Sequence, residues 1–390
     1  MAVRSTDSAP SAEPGQPARG GATAEPARPA QGAPSAEPGQ PAQPLRLPSG
    51  RALAWGIQLF IVVSVAAIIL SSYWKTPPDF QQLRGQLNWR FALLLIPLVA
   101  ADYWLGGLRY HVLFDGRILT HVSLWNCIRA NWANIFLGAA TPFQTGGGPA
   151  QIYLLWRAGA SISEALLTSM VTFAGTLVFF VAASFAALIL IPPELFGSVA
   201  MGLVNTAFIV VGLIAVLVLA GMIFPRPSLV VLRWIYDGLL VHIPVMRRSR
   251  ERLLGGFAAG VDRFSGSVST VWRRGKGPLL LMIFLTLVLF SNKFTIGYAV
   301  VRALGHDVPY GDFLGLSCVQ LFLIYFAPTP GASGVAELSS VWLMARIIPA
   351  ELLVVYTVLW RFLTTVLGAI IGGFVLLWTV RREGAPPRAG

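Results

Sequence analysis

The 390-residue chain is 55% hydrophobic and only 12% charged, with a mean hydropathy of +0.67. That balance excludes an ordinary soluble domain and marks an all-α, polytopic integral membrane protein. A net charge of +12 raises nucleic-acid binding, but the basic residues gather in one loop between apolar segments, so membrane topology accounts for them and no nucleic-acid partner is expected.

Residues 1–50 are rich in Pro, Ala, Gly, Gln and Glu, and SAEPGQPA occurs at Ser11 and again at Ser35. Such a composition cannot bury a core and predicts a disordered cytoplasmic tail. It lacks the basic region, apolar stretch and cleavage site of a signal peptide, so no processing is expected. From there a membrane domain is expected over 51–380. Apolar stretches of about 20 residues or more, enough to cross a bilayer, run over 52–73, 90–114, 162–191, 198–224, 278–303 and 349–379. Two interrupted elements, 124–158 and 312–346, each add a re-entrant hairpin or two short spans, giving about six to eight transmembrane helices.

The segment 225–277 is strongly basic, from Arg226 to Lys276, against only Asp237, Glu251 and Asp262. Positive loops stay on the cytoplasmic side, which places this loop, both termini and the 381–390 tail in the cytoplasm, as for a multi-pass protein of a bacterial inner membrane. Three full spans then separate the interrupted elements, so hairpins there enter from opposite faces as an inverted repeat. Within the loop, VLRWIYDGLL and ERLLGGFAAGVDRF alternate basic and apolar residues, suiting an anionic leaflet or a cytoplasmic partner.

The interruptions share a pattern. Phe136-Leu137 precedes TPFQTGGGPAQ (Thr141 to Gln151), and Phe322-Leu323 precedes APTPGASGVAE (Ala327 to Glu337). Each Phe-Leu pair begins six residues before a proline, Pro142 or Pro328, and an amide or carboxylate follows nine residues after it, Gln151 or Glu337. Proline and glycine at this density end a helix. Broken backbone is tolerated at membrane depth only inside protein or beside a wet cavity, and paired breaks point to a transporter's binding site.

Polar residues in hydrocarbon are functional candidates by default. Arg129 is the preferred anion contact because its guanidinium presents a planar fork of donors; a structural ion pair with a residue such as Glu337 is the alternative. Asn134, Gln144, Thr145 and Gln151 supply further polar groups around the first break. The run Thr145-Gly146-Gly147-Gly148 offers backbone N–H groups to an anion at a helix start, or else close packing of two half-helices. Glu337 matches Gln151 in the repeat and either titrates, coupling transport to protons, or forms a static ion pair. Arg361 is the central basic residue of the last span, with Lys293 its counterpart across the repeat interface. Asp102 and Arg109 stand two turns apart on one helix face, and with Arg157 and Lys293 they are further candidates for the cavity lining. Arg109 as an anchor snorkelling to the interface is the alternative.

Catalytic patterns are scarce. The four histidines are scattered, the two cysteines, Cys127 and Cys318, lie in apolar segments, and neither a nucleotide-binding loop nor a nucleophile elbow occurs. No catalytic residue, metal site or cofactor is expected.

TPFQTGGGPAQIYLLWRAG (Thr141 to Gly159) and PTPGASGVAE (Pro328 to Glu337) closely resemble the two signature stretches of the lysylphosphatidylglycerol synthase transmembrane-region family of flippase-like proteins. The likeness runs from about residue 52 to 380. It implies a membrane half that works on lipids. Members that make lysyl-lipid carry a further soluble domain, so aminoacyl transfer is expected to be absent from a chain ending at Gly390. Many members have an acidic-then-basic pair where this chain has Gly148-Pro149 and Gln151, while the second signature's glutamate is kept as Glu337. The expectation is a lipid translocase moving an anionic phospholipid or lipid-linked headgroup between leaflets. A membrane-bound transferase acting on a phospholipid or polyprenyl-phosphate, or a non-transporting scaffold, are the alternatives.

Overall fold

The computed structural model describes residues 84–190 and 250–383, Phe326 excepted, with isolated positions between 58 and 69 and between 202 and 234. The 1–50 tail, most of the span at 52–73, most of 198–249 and residues 384–390 lie outside the described residues. Helix α1 (Trp89–His111) leads to α2 (Leu124–Ala140), a short turn at Pro142–Gln144, α3 (Gly147–Arg157) and the long α4 (Ile162–Leu190). After the undescribed segment come α5 (Arg250–Arg274), α6 (Lys276–Ala303), α7 (Tyr310–Tyr325), a turn at Pro330–Ala332, α8 (Val335–Met344) and α9 (Ala350–Arg361). A π-helical turn, Phe362–Val366, joins α9 to α10 (Leu367–Glu383). No strand occurs among the described residues.

Four helical stretches there are long and apolar enough to cross a membrane: Trp89–His111, Ile162–Ala183, Lys276–Ala303 and Ala350–Thr379. They coincide with the spans expected at 90–114, 162–191, 278–303 and 349–379. Side-chain caps mark the starts of α2 and α4. Ser123 Oγ accepts from Asn126 N at the start of α2, and Ser161 and Glu164 cap α4 reciprocally, each side chain accepting from the other's backbone N–H.

Each interrupted element is a helical hairpin. The 17 residues of α2 and 11 of α3 rise about 26 and 17 Å at 1.5 Å per residue, short of a hydrocarbon core about 30 Å thick, and the two helices pack along each other. Helices α7 and α8, with 16 and 10 residues, do the same. The two turns touch. Both contain two successive left-handed residues, Phe143 (φ 51°) and Gln144 (φ 56°) in the first, Gly331 (φ 57°) and Ala332 (φ 56°) in the second.

That shared geometry corrects the repeat register read from sequence. Pro142 corresponds to Pro330, not Pro328, because Thr329 takes the extended position that Thr141 holds before the first turn. Glu337 therefore stands opposite Pro149 and Gln151 opposite Ser339. The first hairpin is gripped from both sides at positions without side chains. A Cβ on Gly107 of α1 would strike the Ile128 backbone, and one on Gly372 of α10 would collide with the Trp132 carbonyl. Small residues allow this close approach, the usual packing device of membrane helices.

Candidate functional site

Asp102, Gly106 and Arg109 follow one another at helical spacing along one face of α1, and all three line a cavity of about 560 Å³. The cavity is bounded by α1, α2, α3, α4, α6, α7, α9 and both turns, with Phe143 and Gln144 from the first and Gly331 from the second. Aromatic residues close part of the wall: Phe180 on α4, Phe290 on α6 and Tyr325 on α7 pack edge to face or tilted.

Three cations face this space, and their partners differ. Lys293 Nζ donates to Asp102 Oδ2 at 2.7 Å, leaving Asp102 Oδ1 buried without a hydrogen-bond partner. Arg361 Nε donates to Glu337 Oε1 at 3.1 Å, its Nη2 to the Gly331 carbonyl at 2.9 Å and its Nη1 to Thr365 Oγ1 at 3.3 Å. Arg109 has no carboxylate within ion-pair distance among the described residues. Its Nη1 makes a long bond to Thr286 Oγ1 (3.4 Å), its Nε is buried without a partner, and the residue is 8% exposed.

Amides complete the lining. Asn134 Nδ2 donates to Gln151 Oε1 at 2.8 Å, while the buried Nε2 atoms of Gln151 and Gln320 are unpartnered. The π-helical turn brings Thr364 and Thr365 to the same wall. Tyr103 Oη donates to the Leu363 carbonyl within that turn at 3.0 Å, holding a backbone distortion of the kind found at functional sites.

Of the residues singled out from sequence, Asp102, Arg109, Asn134, Gln144, Gln151, Lys293 and Arg361 line the cavity. The others lie elsewhere. Arg129 turns away: its Nη2 donates to Thr379 Oγ1 at 2.6 Å, its Nη1 to Asn126 Oδ1 at 3.4 Å, and its guanidinium sits over the Trp378 ring. It joins the start of α2 to the end of α10, so the arginine singled out from sequence as an anion contact lies outside the cavity, while Arg109 lines it. Nor does it pair with Glu337, whose partner is Arg361.

Glu337 is buried behind Arg361 and not in the wall; its Oε2 accepts from Gly334 N at 2.6 Å in the first turn of α8. Gly146 N–H donates to Thr141 Oγ1 at 2.8 Å, and Gly147 lies against the Asn134 side chain. Those glycines serve hairpin packing, and Thr145 Oγ1 donates to the Pro142 carbonyl. Within the run only Gly148 faces the cavity. Arg157 ends α3 on an exposed turn, where the helix dipole favours a cation.

Sequence reasoning missed Gln320 and Ser317, which share a face of α7 and line the cavity. The signal was available. An amide inside an apolar segment is costly in the way a charge is, though it stands out less in sequence than a charge or a Gly-Pro break.

Residues 55–372 match the lysylphosphatidylglycerol synthase TM region family. The chain belongs to that family. A UPF0104 membrane protein of Archaeoglobus fulgidus is 23% identical over 321 residues, covering 79% of this chain and 92% of the relative. Every cavity-lining residue lies within the part matched to the lysylphosphatidylglycerol synthase TM region, so this family member is a multi-pass membrane protein whose polar cavity belongs to its family domain.

Proposed function

We propose that this protein moves an anionic phospholipid or lipid-linked headgroup between leaflets through the cavity at its two hairpin turns, with Arg109 as the anion contact and the acyl chains left in hydrocarbon. The observation that carries the reading is the state of Arg109. A buried charge is expensive unless paired and fully hydrogen-bonded, and Arg109 has neither a carboxylate nor a partner for Nε among the described residues. A phosphate supplies both, because guanidinium and phosphate meet through parallel charge-assisted hydrogen bonds. The unpartnered Nε2 atoms of Gln151 and Gln320 add donors for the remaining oxygens.

The volume supports the same reading. About 560 Å³ lies within the roughly 300–1,000 Å³ of small-ligand sites, room for a headgroup and not for two acyl chains. The basic 225–277 loop supports a cytoplasmic-membrane setting with both termini in the cytoplasm.

Reconstitution tests the reading. In vesicles containing phosphatidylglycerol with a fluorescent acyl chain, dithionite quenching is expected to show lipid exchange well above protein-free vesicles. Arg109→Gln should slow it about tenfold or more, the loss of a charge-assisted hydrogen bond. Arg129→Gln, outside the cavity, should stay within about twofold. Exchange no faster than in protein-free vesicles, or an Arg109→Gln variant as fast as the original, overturns the proposal.

A further inference from the structure

Asp102 is the one carboxylic acid among the described residues that line the cavity; the other ionisable groups there are Arg109, Tyr110, Lys293, Tyr325 and Arg361. The helices packed against α1 bring no second acid to it. Helix α6 contributes Lys293, α2 the amides Asn131 and Asn134, and α4 Thr172 and Thr176. Neighbouring Tyr103 is held by the Leu363 carbonyl, and Glu337 stands behind Arg361, bonded to it and to Gly334 N. Asp102 itself is 3% exposed, with Oδ2 on Lys293 Nζ at 2.7 Å and Oδ1 without a hydrogen-bond partner.

That ion pair stands open to a competing anion. The Lys293 side chain is 24% exposed, against 6% for Arg361, and Asp102 is its one hydrogen-bond partner among the described residues. Arg361, by contrast, donates from all its nitrogens. An ammonium carries three N–H donors, so an anion entering beside Arg109 finds donors on Lys293 that no other group uses. Once the anion draws Lys293, Asp102 faces a like charge and loses its counter-ion. A buried carboxylate stranded in this way is strongly disfavoured and neutralises itself by taking a proton. Oδ1 is the atom open to receive it. One negative charge and one proton then enter together, and the net charge of the cavity does not change.

We infer that Asp102 carries a coupling proton: an anionic phosphate group binds Arg109 and Lys293 together with one proton on Asp102, and the two cross the membrane in the same direction. The inference rests on the reading of the cavity as the path of an anionic headgroup and adds the ion that drives it. By linkage, the anion and the proton each strengthen the binding of the other by the same factor.

Calorimetric titration of the full chain in detergent with dihexanoyl phosphatidylglycerol, whose phosphate stays ionised near neutral pH, tests it in two buffers of different ionisation enthalpy. About one proton should be taken up per lipid bound, and binding should weaken by up to about tenfold per unit as the pH rises from neutral. Asp102→Asn keeps the shape without the charge, so it should bind with neither proton uptake nor pH dependence. In proteoliposomes a pH gradient should gather the fluorescent phosphatidylglycerol in the leaflet on the alkaline side, beyond any shift in protein-free vesicles, and Asp102→Asn should exchange lipid without regard to the gradient. The wild-type proton count needs no variant to fold. Binding without proton uptake, uptake that persists in Asp102→Asn, or a lipid distribution that ignores the gradient overturns the coupling alone. No binding of phosphatidylglycerol overturns the headgroup reading and this inference with it.

Discussion

Arg361 and Glu337 form a structural lock beside the cavity. The guanidinium ties three parts of the second repeat together: the first turn of α8 through Glu337, the left-handed turn through the Gly331 carbonyl, and the π-helical turn through Thr365. Glu337 returns the tie by accepting from Gly334 N. Removing one partner of such a buried pair strands the other charge, at about 3–5 kcal/mol, whereas removing both is far milder. Glu337→Gln and Arg361→Met should each lower the melting temperature of the detergent-solubilised protein by several degrees, and the double variant should recover most of the loss. Single variants that melt like the original would show that the pair holds nothing together. In sequence, Glu337 stood open between a titrating group and a static pair; the geometry is that of the static pair. The arginines were less legible. Arg109 and Arg129 both stood out as charges in apolar helices, but sequence does not say which helix face meets a cavity and which meets a neighbour's end.

At the scale of elements, the first hairpin is held by helices that approach it at glycines. Gly372 has the Trp132 carbonyl where a Cβ would sit, whereas Gly148 has nothing within 4 Å of that position. Gly372→Leu should push α10 off α2 and destabilise by roughly 1–3 kcal/mol or more. Gly148→Ala should be neutral or slightly stabilising, since alanine favours a helix over glycine by about 1 kcal/mol. Thermal unfolding of the two variants side by side checks the contrast, and equal melting would mean that α10 does not pack as closely as described. The breaks themselves were legible, because Pro142 and the glycines after it cannot continue a helix and an apolar segment ending there has one explanation. Their register was not. Two prolines, Pro328 and Pro330, each suit the start of a turn, and only the backbone geometry of Thr329 decides for the second. The π-helical turn at Phe362–Val366 left no mark in sequence either, since its residues are ordinary helix or strand formers and the distortion is fixed by tertiary contacts such as Tyr103 to Leu363.

At the scale of the whole molecule, the described residues combine a buried apolar core with many large apolar side chains on the outer surface and polar groups gathered at the cavity, unlike the surface of a protein in water. Leu93, Ile96, Trp104, Phe185 and Phe374 are exposed on the outer faces of their helices, while the amides and ion pairs of the cavity are enclosed. In a bilayer, exposure in the isolated chain then predicts contact with lipid and not with water. Cysteine labelling separates the two. Maleimides react with thiolates, which form in water and are suppressed in hydrocarbon. The native Cys127 and Cys318 are both buried, so the unsubstituted protein should give a low background. Gln144→Cys, half-buried at the cavity, should react readily with a water-soluble maleimide in proteoliposomes. Phe374→Cys should stay unreactive although Phe374 is 72% exposed, because that surface faces acyl chains. Dihexanoyl phosphatidylglycerol should slow the reaction at Gln144→Cys and leave Phe374→Cys unchanged, since only the former shares a space with the headgroup. Were Phe374→Cys to react as fast as Gln144→Cys, the outer surface would be wet, and an enclosed polar path through a lipid-embedded shell would no longer describe this protein.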